Sequence, residues 1–190
     1  MAGVLNLFTA FGLATSAGLN AYLPLLVVAL LARFTGLITL NPPWDALESW
    51  WVIGVLAVLL VIEFLVDKVP AADTVNDAIQ TFVRPVAGAL LFAASAGVIG
   101  ETHPVLAMIC GLLVAGGVHA VKATARPFIT GTSGGLLNPV VSTAEDGLSF
   151  ALAVLAIVLP LLGALLLLTL IIWFASRRWR RHHQTSAVEW

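Results

Sequence analysis

Two groups of ionisable side chains stand out because the chain around them is apolar. Of the 190 residues, 60% are hydrophobic and only 10% are charged, whereas a soluble domain carries roughly 25% charged residues. Charges inside a membrane-like protein are costly, and they mark ion or substrate pathways. The acidic group comprises Glu63, Asp67, Asp73, Asp77, Glu145 and Asp146. The basic group comprises Arg84, His119, Lys122 and Arg126.

Within the acidic group, Asp73 and Asp77 are four residues apart, which places them on one face of a helix. Gln80 and Arg84 continue that face. The two carboxylates could bind a divalent cation, although the pattern does not identify a metal. The same pattern is typical of an amphipathic helix that lies in the membrane interface, with Asp73 as its N-cap. Both interpretations stay open.

The basic group allows a second kind of chemistry. Lys122 and Arg126 could hold a phosphate, or they could extend to lipid headgroups. A membrane enzyme acting on a phosphate-bearing lipid headgroup would add a carboxylate-bound metal. However, the spacing of Lys122 and Arg126 is too short for a lipid-phosphate phosphatase, and most of the CDP-alcohol phosphotransferase motif is missing. The sequence therefore predicts no catalytic residue, no zinc site and no cofactor.

Arg126 is expected to form an ion pair, because a guanidinium withdrawn from water needs a carboxylate. The favoured partner is Asp67 or Asp73, followed by Glu145 or Asp146. The partner also reports on topology, since contact with Asp67 fits six membrane crossings and contact with Glu145 fits five.

The elements that must position these groups are helices. Long apolar runs and a mean hydropathy of +1.03 predict an all-α, polytopic membrane protein of a bacterial inner membrane. It would have one transmembrane domain over 1–176 and a basic cytoplasmic tail over 177–190, with the lipid bilayer as its main partner. A formal net charge of −1 gives no sign of nucleic-acid binding. Helices are expected over 50–66, 67–85 (interfacial), 85–100, 104–121 and 150–175.

Two intervals predict broken or re-entrant elements, near 18–24 and 128–142, because glycine, proline and asparagine interrupt their apolar runs. Asn20, Tyr22 and Asn138 are the neutral polar side chains expected to contact a solute there. If 128–142 crosses the membrane, there are six crossings and Lys68, Arg84, Lys122 and Arg126 share the cytoplasmic side with the tail. If it is re-entrant, there are five. The bias of basic residues towards the cytoplasm favours six.

Three stretches together resemble a family: DKVPAADTVNDAIQTFVRPVAG from Asp67, KATARP from Lys122 and TSGGLLNPVVSTAED from Thr132. In order and spacing they are similar to the domain-of-unknown-function 4126 family of small bacterial membrane proteins. The resemblance covers most of the chain and implies an integral membrane protein, with no activity to carry over.

Three functions follow from these patterns. The first is a channel or transporter for a small solute or ion, with a polar site between the two broken elements. The second is the lipid-headgroup enzyme. The third is a scaffold for other membrane proteins, since small residues in 85–100 and 104–121 allow close helix packing and a homo-oligomer.

Overall fold

The structure is a computed structural model that describes residues 2–67, 70–97 and 102–185, and these residues form helices and turns without strands. Side chains are described throughout these ranges except at 2, at 70–75 and at most positions after 160. Asp73 therefore has a described backbone but no described side chain, and Lys68 lies outside the described residues. The helices are α1 Ala2–Leu19, α2 Tyr22–Thr35, a 3₁₀ helix Trp44–Glu48, α3 Trp50–Val66, α4 Pro70–Ser95, α5 Pro104–Ser133 and α6 Asn138–Thr185.

Three segments are long and apolar enough to cross a membrane: Asn76–Ser95, Pro104–Ser133 and Asn138–Pro160. The helices α1, α2 and α3 are apolar but shorter. The all-α prediction is confirmed for the described residues. The number of crossings and the re-entrant character of the two breaks stay predictions.

The first break lies at Asn20. Its side-chain Oδ1 accepts hydrogen bonds from the backbone N–H groups of Tyr22 at 3.0 Å and Leu23 at 2.9 Å. Asparagine is a preferred residue for satisfying the unpaired N–H groups at a helix start. The chain reverses direction here, because Asn6 near the start of α1 and Thr39 after the end of α2 line the same cavity.

The second break is the turn between α5 and α6. Helix α5 continues through Pro127 and ends before Gly134 and Gly135, whose φ angles are 61° and 84°. Glycine adopts such left-handed angles without a steric penalty and commonly ends helices. The interval 128–142 thus consists of the end of α5, a four-residue turn and the start of α6.

One boundary prediction was wrong. The predicted interfacial helix over 67–85 and the predicted span over 85–100 are largely one helix, α4, with Pro85 in its interior. Proline removes one helical hydrogen bond. Inside a membrane protein, neighbouring helices can offset that loss. The polar half of α4 therefore enters the bundle instead of lying on a surface. Similarly, the helix predicted over 104–121 extends to Ser133.

Small residues let α4, α5 and α1 approach closely. A methyl group added at Gly111 would lie 2.6 Å from the Phe92 Cβ, and one added at Gly18 would lie 2.6 Å from the Ala115 carbonyl oxygen. These distances are too short for any real Cβ contact. Both glycines are therefore packing positions, as the sequence predicts for Gly111 but not for Gly18, which it assigns to the first break.

The helices alternate in direction, which gives the bundle two distinct ends. At the polar end, α1, α3 and α5 finish while α2, α4 and α6 begin. At the cavity end lies a cavity of about 660 Å³, lined by Asn6, Trp44, Ser95, Pro104 and Pro160 among others.

Candidate functional site

Polar side chains from all six helices or their ends converge towards the polar end of the bundle. Most of them are buried; Arg84 is 1% exposed and Gln80 is fully buried. We name this group the polar core. Its members are Asn20, Glu63, Asp67, Asp77, Gln80, Arg84, His119, Lys122, Arg126, Ser142, Glu145 and Asp146.

Helical spacing explains why these residues share one interior. Glu63 and Asp67 are one turn apart at the end of α3. His119, Lys122 and Arg126 form a single stripe on α5. Asp77, Gln80 and Arg84 form the matching stripe on α4. Both stripes face inward because α4 and α5 pack against each other through glycines on the same faces.

Arg84 is the centre of the first half of the polar core. Its Nη2 lies 3.3 Å from Oε1 of Glu63, and its Nη1 lies 3.1 Å from Nδ1 of His119. The carboxylate of Asp77 is 4.0 Å from Nη1. Arg84 therefore connects α3, α4 and α5 through one buried guanidinium.

The hydrogen bonds of His119 define its protonation. A guanidinium only donates, so Nδ1 of His119 must accept from Arg84. The Nε2 atom lies 3.1 Å from Oγ1 of Thr81, whose own hydrogen is donated to the Asp77 carbonyl oxygen. Nε2 therefore carries the hydrogen and donates it to Thr81. In this arrangement His119 is neutral.

Glu145 is the centre of the second half. Its Oε2 lies 2.7 Å from Nζ of Lys122 and 3.0 Å from Nη2 of Arg126. Lys122 also donates to the Leu19 carbonyl oxygen at 3.3 Å. That carbonyl ends α1 and lacks a helical partner, so Lys122 ties the first break to α5 and α6.

The expected pairing of Arg126 with Asp67 is wrong. Arg126 pairs instead with Glu145, which was the next expected partner, and with Asp77 at 3.3 Å. Asp67 accepts hydrogen bonds from Ser142 and, at 3.0 Å, from Asn76. The α5–α6 turn explains this result, because it folds α6 back and brings Glu145 beside Arg126. The side chain of Asp73 is not among those that the structure describes, so its expected role stays a prediction.

The neutral residues predicted for the site divide between two places. Asn20 donates to Oδ1 of Asp146 at 2.9 Å and thus belongs to the polar core. Tyr22 is close enough to interact with Glu63 and Gln80. Asn138 accepts a hydrogen bond from Thr130 at 3.0 Å within the α5–α6 hairpin. Its expected contact with a solute stays a prediction.

Several buried polar atoms of the polar core have no partner at a distance and angle suitable for a hydrogen bond. They are both amide atoms of Gln80, Oε2 of Glu63 and Nε of Arg84. Leaving a buried donor or acceptor unpaired costs about 1–3 kcal/mol. Since donors and acceptors occur together, this corner of the polar core could accept a water molecule or a small polar ligand.

The exterior of the bundle at this level is mostly apolar, with exposed threonines at Thr81, Thr124 and Thr143. Ile79 and Phe82 on α4, Val121 and Phe128 on α5, and Val140 on α6 are all exposed. These residues alternate in sequence with members of the polar core. Most of the charges therefore lie inside a sleeve of apolar side chains, the apolar sleeve, while the Asp77 side chain is 24% exposed.

The structure adds residues that the sequence interpretation left out of the site. Gln80, His119 and Ser142 are members of the polar core. Gln80 and His119 lie on the helical stripes of α4 and α5, and the spacing of charged residues in the sequence already indicated these stripes. Ser142 lies one turn before Asp146 on α6, and that spacing is the only signal for it.

The described side chains of the polar core do not form a ligand set for a divalent metal ion. No three His, Cys, Asp or Glu side chains are grouped to hold a metal ion in the part of the chain that the structure describes. Asp77, a predicted metal ligand, faces Arg84 and Arg126 instead.

Comparison with known proteins identifies the family. No curated protein and no solved structure matches the chain. The family described as Domain of unknown function (DUF4126) matches residues 7–181, which include every member of the polar core. The chain belongs to this family.

Proposed function

We propose that this protein is an integral membrane protein whose polar core binds a small polar solute or ion and passes it through the apolar sleeve. One observation carries the proposal: a cluster of buried charges lies within helices that are apolar on the outside. Ionisable groups in such positions mark ion or substrate pathways.

Energetics support a functional reason for the polar core. Moving charged groups out of water carries a free-energy penalty, and ion pairing often does no more than offset it. Well-packed apolar residues of similar volume would stabilise the fold equally well. A fold that needed only helix packing could use the small-residue contacts at Gly18 and Gly111 throughout. The unpaired atoms of Gln80 and Glu63 point the same way, since a purely structural network would satisfy them.

The length and direction of α6 indicate which side of the membrane the polar end of the bundle faces. From Glu145 to Arg177 the helix rises about 48 Å, at about 1.5 Å per residue. This exceeds the roughly 30 Å hydrocarbon core of a bilayer. If the arginine-rich tail is cytoplasmic, the polar end then faces the opposite side of the inner membrane. This proposed orientation differs from the expectation that Lys122 shares the side of the tail, and both stay predictions.

Flux through liposomes tests the function. Purified protein would be reconstituted and offered a panel of inorganic ions, amino acids and small neutral solutes. We expect at least one of them to move faster than through empty liposomes. Glu63→Gln should reduce that flux at least about tenfold, because it removes the charge of a half-satisfied buried carboxylate. Glu48→Gln, in the 3₁₀ helix before α3, is the matched control and should behave like the wild type.

A scaffold is the second candidate, favoured by the pairing of Arg84, Lys122 and Arg126 with carboxylates on other helices. These bonds would hold the bundle rigid while its exposed apolar faces contact lipid, a second copy or other membrane proteins. Absence of flux for every solute in the panel, together with a stable and folded protein, would favour the scaffold.

A further inference from the structure

The cavity of about 660 Å³ at the cavity end of the bundle is separate from the polar core, because none of its described lining residues belongs to that group. Its volume is typical of a site for a small organic molecule. Polar side chains line part of it: Asn6 and Thr9 of α1, Thr39 and Asn41 of the segment after α2, and Ser95 at the end of α4. None of the described lining side chains carries a charge. The cavity therefore suits an uncharged group that forms hydrogen bonds.

The hydroxyl of Ser95 points to a ligand in this cavity. Its Oγ is buried and has no hydrogen-bond partner. A serine or threonine hydroxyl in a helix can donate to the carbonyl oxygen one turn earlier. Thr9 does so at 3.3 Å and Thr15 at 2.8 Å, whereas Ser95 does not. Because serine can occupy several staggered rotamers, a rotation about the Cα–Cβ bond can turn this hydroxyl towards a ligand.

An apolar groove adjoins the cavity. It has a volume of about 430 Å³ and lies between α1 and α6, from Leu5 to Gly12 on α1. Leu5 and Pro160 line both the cavity and the groove, so the two meet at these residues. Seven residues of helix correspond to about 10 Å. The groove therefore leads from the cavity end into the apolar part of the bundle, and all of its described lining residues are apolar.

The groove faces outward, towards the surrounding lipid. Phe8 on α1 and both Leu155 and Leu159 on α6 line it and are exposed. The cavity lies instead where helices end, and Trp44 lines it. Tryptophan is enriched where a membrane meets water, at the level of the lipid headgroups. A polar site at headgroup level that continues into an outward apolar groove has the shape of a site for an amphipathic lipid.

We propose that the cavity and the groove together bind one lipid molecule whose headgroup is uncharged and carries hydroxyl groups. The headgroup lies in the cavity and forms hydrogen bonds with Ser95, Asn6 and Thr39, while one acyl chain lies in the groove. A headgroup with a phosphate fits less well, because the described lining side chains offer no cation to pair with it. This site lies at the opposite end of the bundle from the polar core and does not depend on transport.

Three molecules with the same oleoyl chain separate the contribution of the headgroup from that of the chain. They are 1-oleoylglycerol, which is uncharged and has free hydroxyls, its phosphate ester, and methyl oleate, which has no hydrogen-bond donor. Melting temperatures of the full-length protein in detergent would be recorded with each at the same mole fraction. At about a hundredfold its dissociation constant, 1-oleoylglycerol should raise the melting temperature by about 5–10 °C. The other two should raise it by less than about half as much.

Two variants and one control locate the response. Ala94→Leu adds bulk to the wall of the cavity and should abolish the response to 1-oleoylglycerol. Ala123→Leu, at an exposed position on α5 outside the cavity, should respond like the wild type. Ser95→Ala should weaken the apparent affinity about three- to tenfold. It should not lower the melting temperature of the lipid-free protein, because the hydroxyl that it removes has no partner, so it serves if Ala94→Leu does not fold.

The lipid site would be overturned if the wild type did not respond to 1-oleoylglycerol or responded equally to all three molecules. Wild-type responses in both Ala94→Leu and Ser95→Ala would also overturn it. A stronger response to the phosphate ester would refute the uncharged headgroup. None of these results depends on flux through liposomes, so the lipid site and the transport function can fail separately.

Discussion

Arg84 donates a hydrogen bond from Nη1 to Nδ1 of His119 over 3.1 Å, and this contact joins the polar faces of α4 and α5. The two residues are 35 positions apart in the chain. Because the guanidinium also holds Glu63 on α3, one buried cation fixes three helices relative to one another. The first two predictions follow from this arrangement.

Removing Arg84 should be much more damaging than removing an exposed arginine. Arg84→Met leaves the buried carboxylate of Glu63 without its cation and should cost about 3–5 kcal/mol of unfolding free energy. The double variant Glu63→Gln/Arg84→Met should recover most of that loss, since neither charge remains. Unfolding in detergent, followed by circular dichroism, measures both.

Arg33 supplies the control for this experiment. It is exposed and lies over the ring of Trp50 at 4.4 Å, so Arg33→Met should cost about 1 kcal/mol or less. Equal losses for Arg33→Met and Arg84→Met would contradict a structural role for the buried guanidinium.

The neutral state of His119 predicts which substitutions the site tolerates. Asparagine at this position offers an acceptor in place of Nδ1, so His119→Asn should retain much of the stability. His119→Leu removes the acceptor for Arg84 and should cost about 1–3 kcal/mol. Unfolding of the two variants under the same conditions gives the comparison. If leucine were tolerated as well as asparagine, the hydrogen bond to Arg84 would contribute nothing.

The glycine contacts of α5 predict a sharp difference between two positions only six residues apart. Gly111→Ala places a methyl group 2.6 Å from the Phe92 Cβ and should destabilise the protein by about 1–3 kcal/mol. Gly117 faces open space, so Gly117→Ala should be neutral or stabilising by up to about 1 kcal/mol. Melting temperatures of the two variants decide; a loss at Gly117 as large as at Gly111 would refute the packing explanation.

Opposite ends of the bundle should lie on opposite sides of the membrane. In a Cys110→Ser background, Thr132→Cys near the α5–α6 turn should react in intact cells with a reagent that does not cross membranes. Thr39→Cys at the cavity end should react only after permeabilisation, like a cysteine placed in the tail. Reaction of both positions in intact cells, or protection of position 132, would contradict this topology.

Local periodicity was enough to predict most members of the site but not their partners. Spacing along the chain places Asp77, Gln80 and Arg84 on one helical face, because the period of the α-helix is the same wherever it forms. The same rule places Lys122 and Arg126 together. Composition alone indicates a helical membrane protein, since apolar runs of this length cannot be solvated.

Only the tertiary structure decided which charges meet. Arg126 pairs with Glu145 because a turn at 134–137 reverses the chain between α5 and α6, whereas the basic residues of the sequence favoured a crossing there. The same holds for Pro85, which marks a helix start in isolation but lies within α4. Its lost hydrogen bond is a local penalty, and packing against other helices outweighs it. Pairing and packing join residues far apart in the chain, so the local sequence pattern could not specify them.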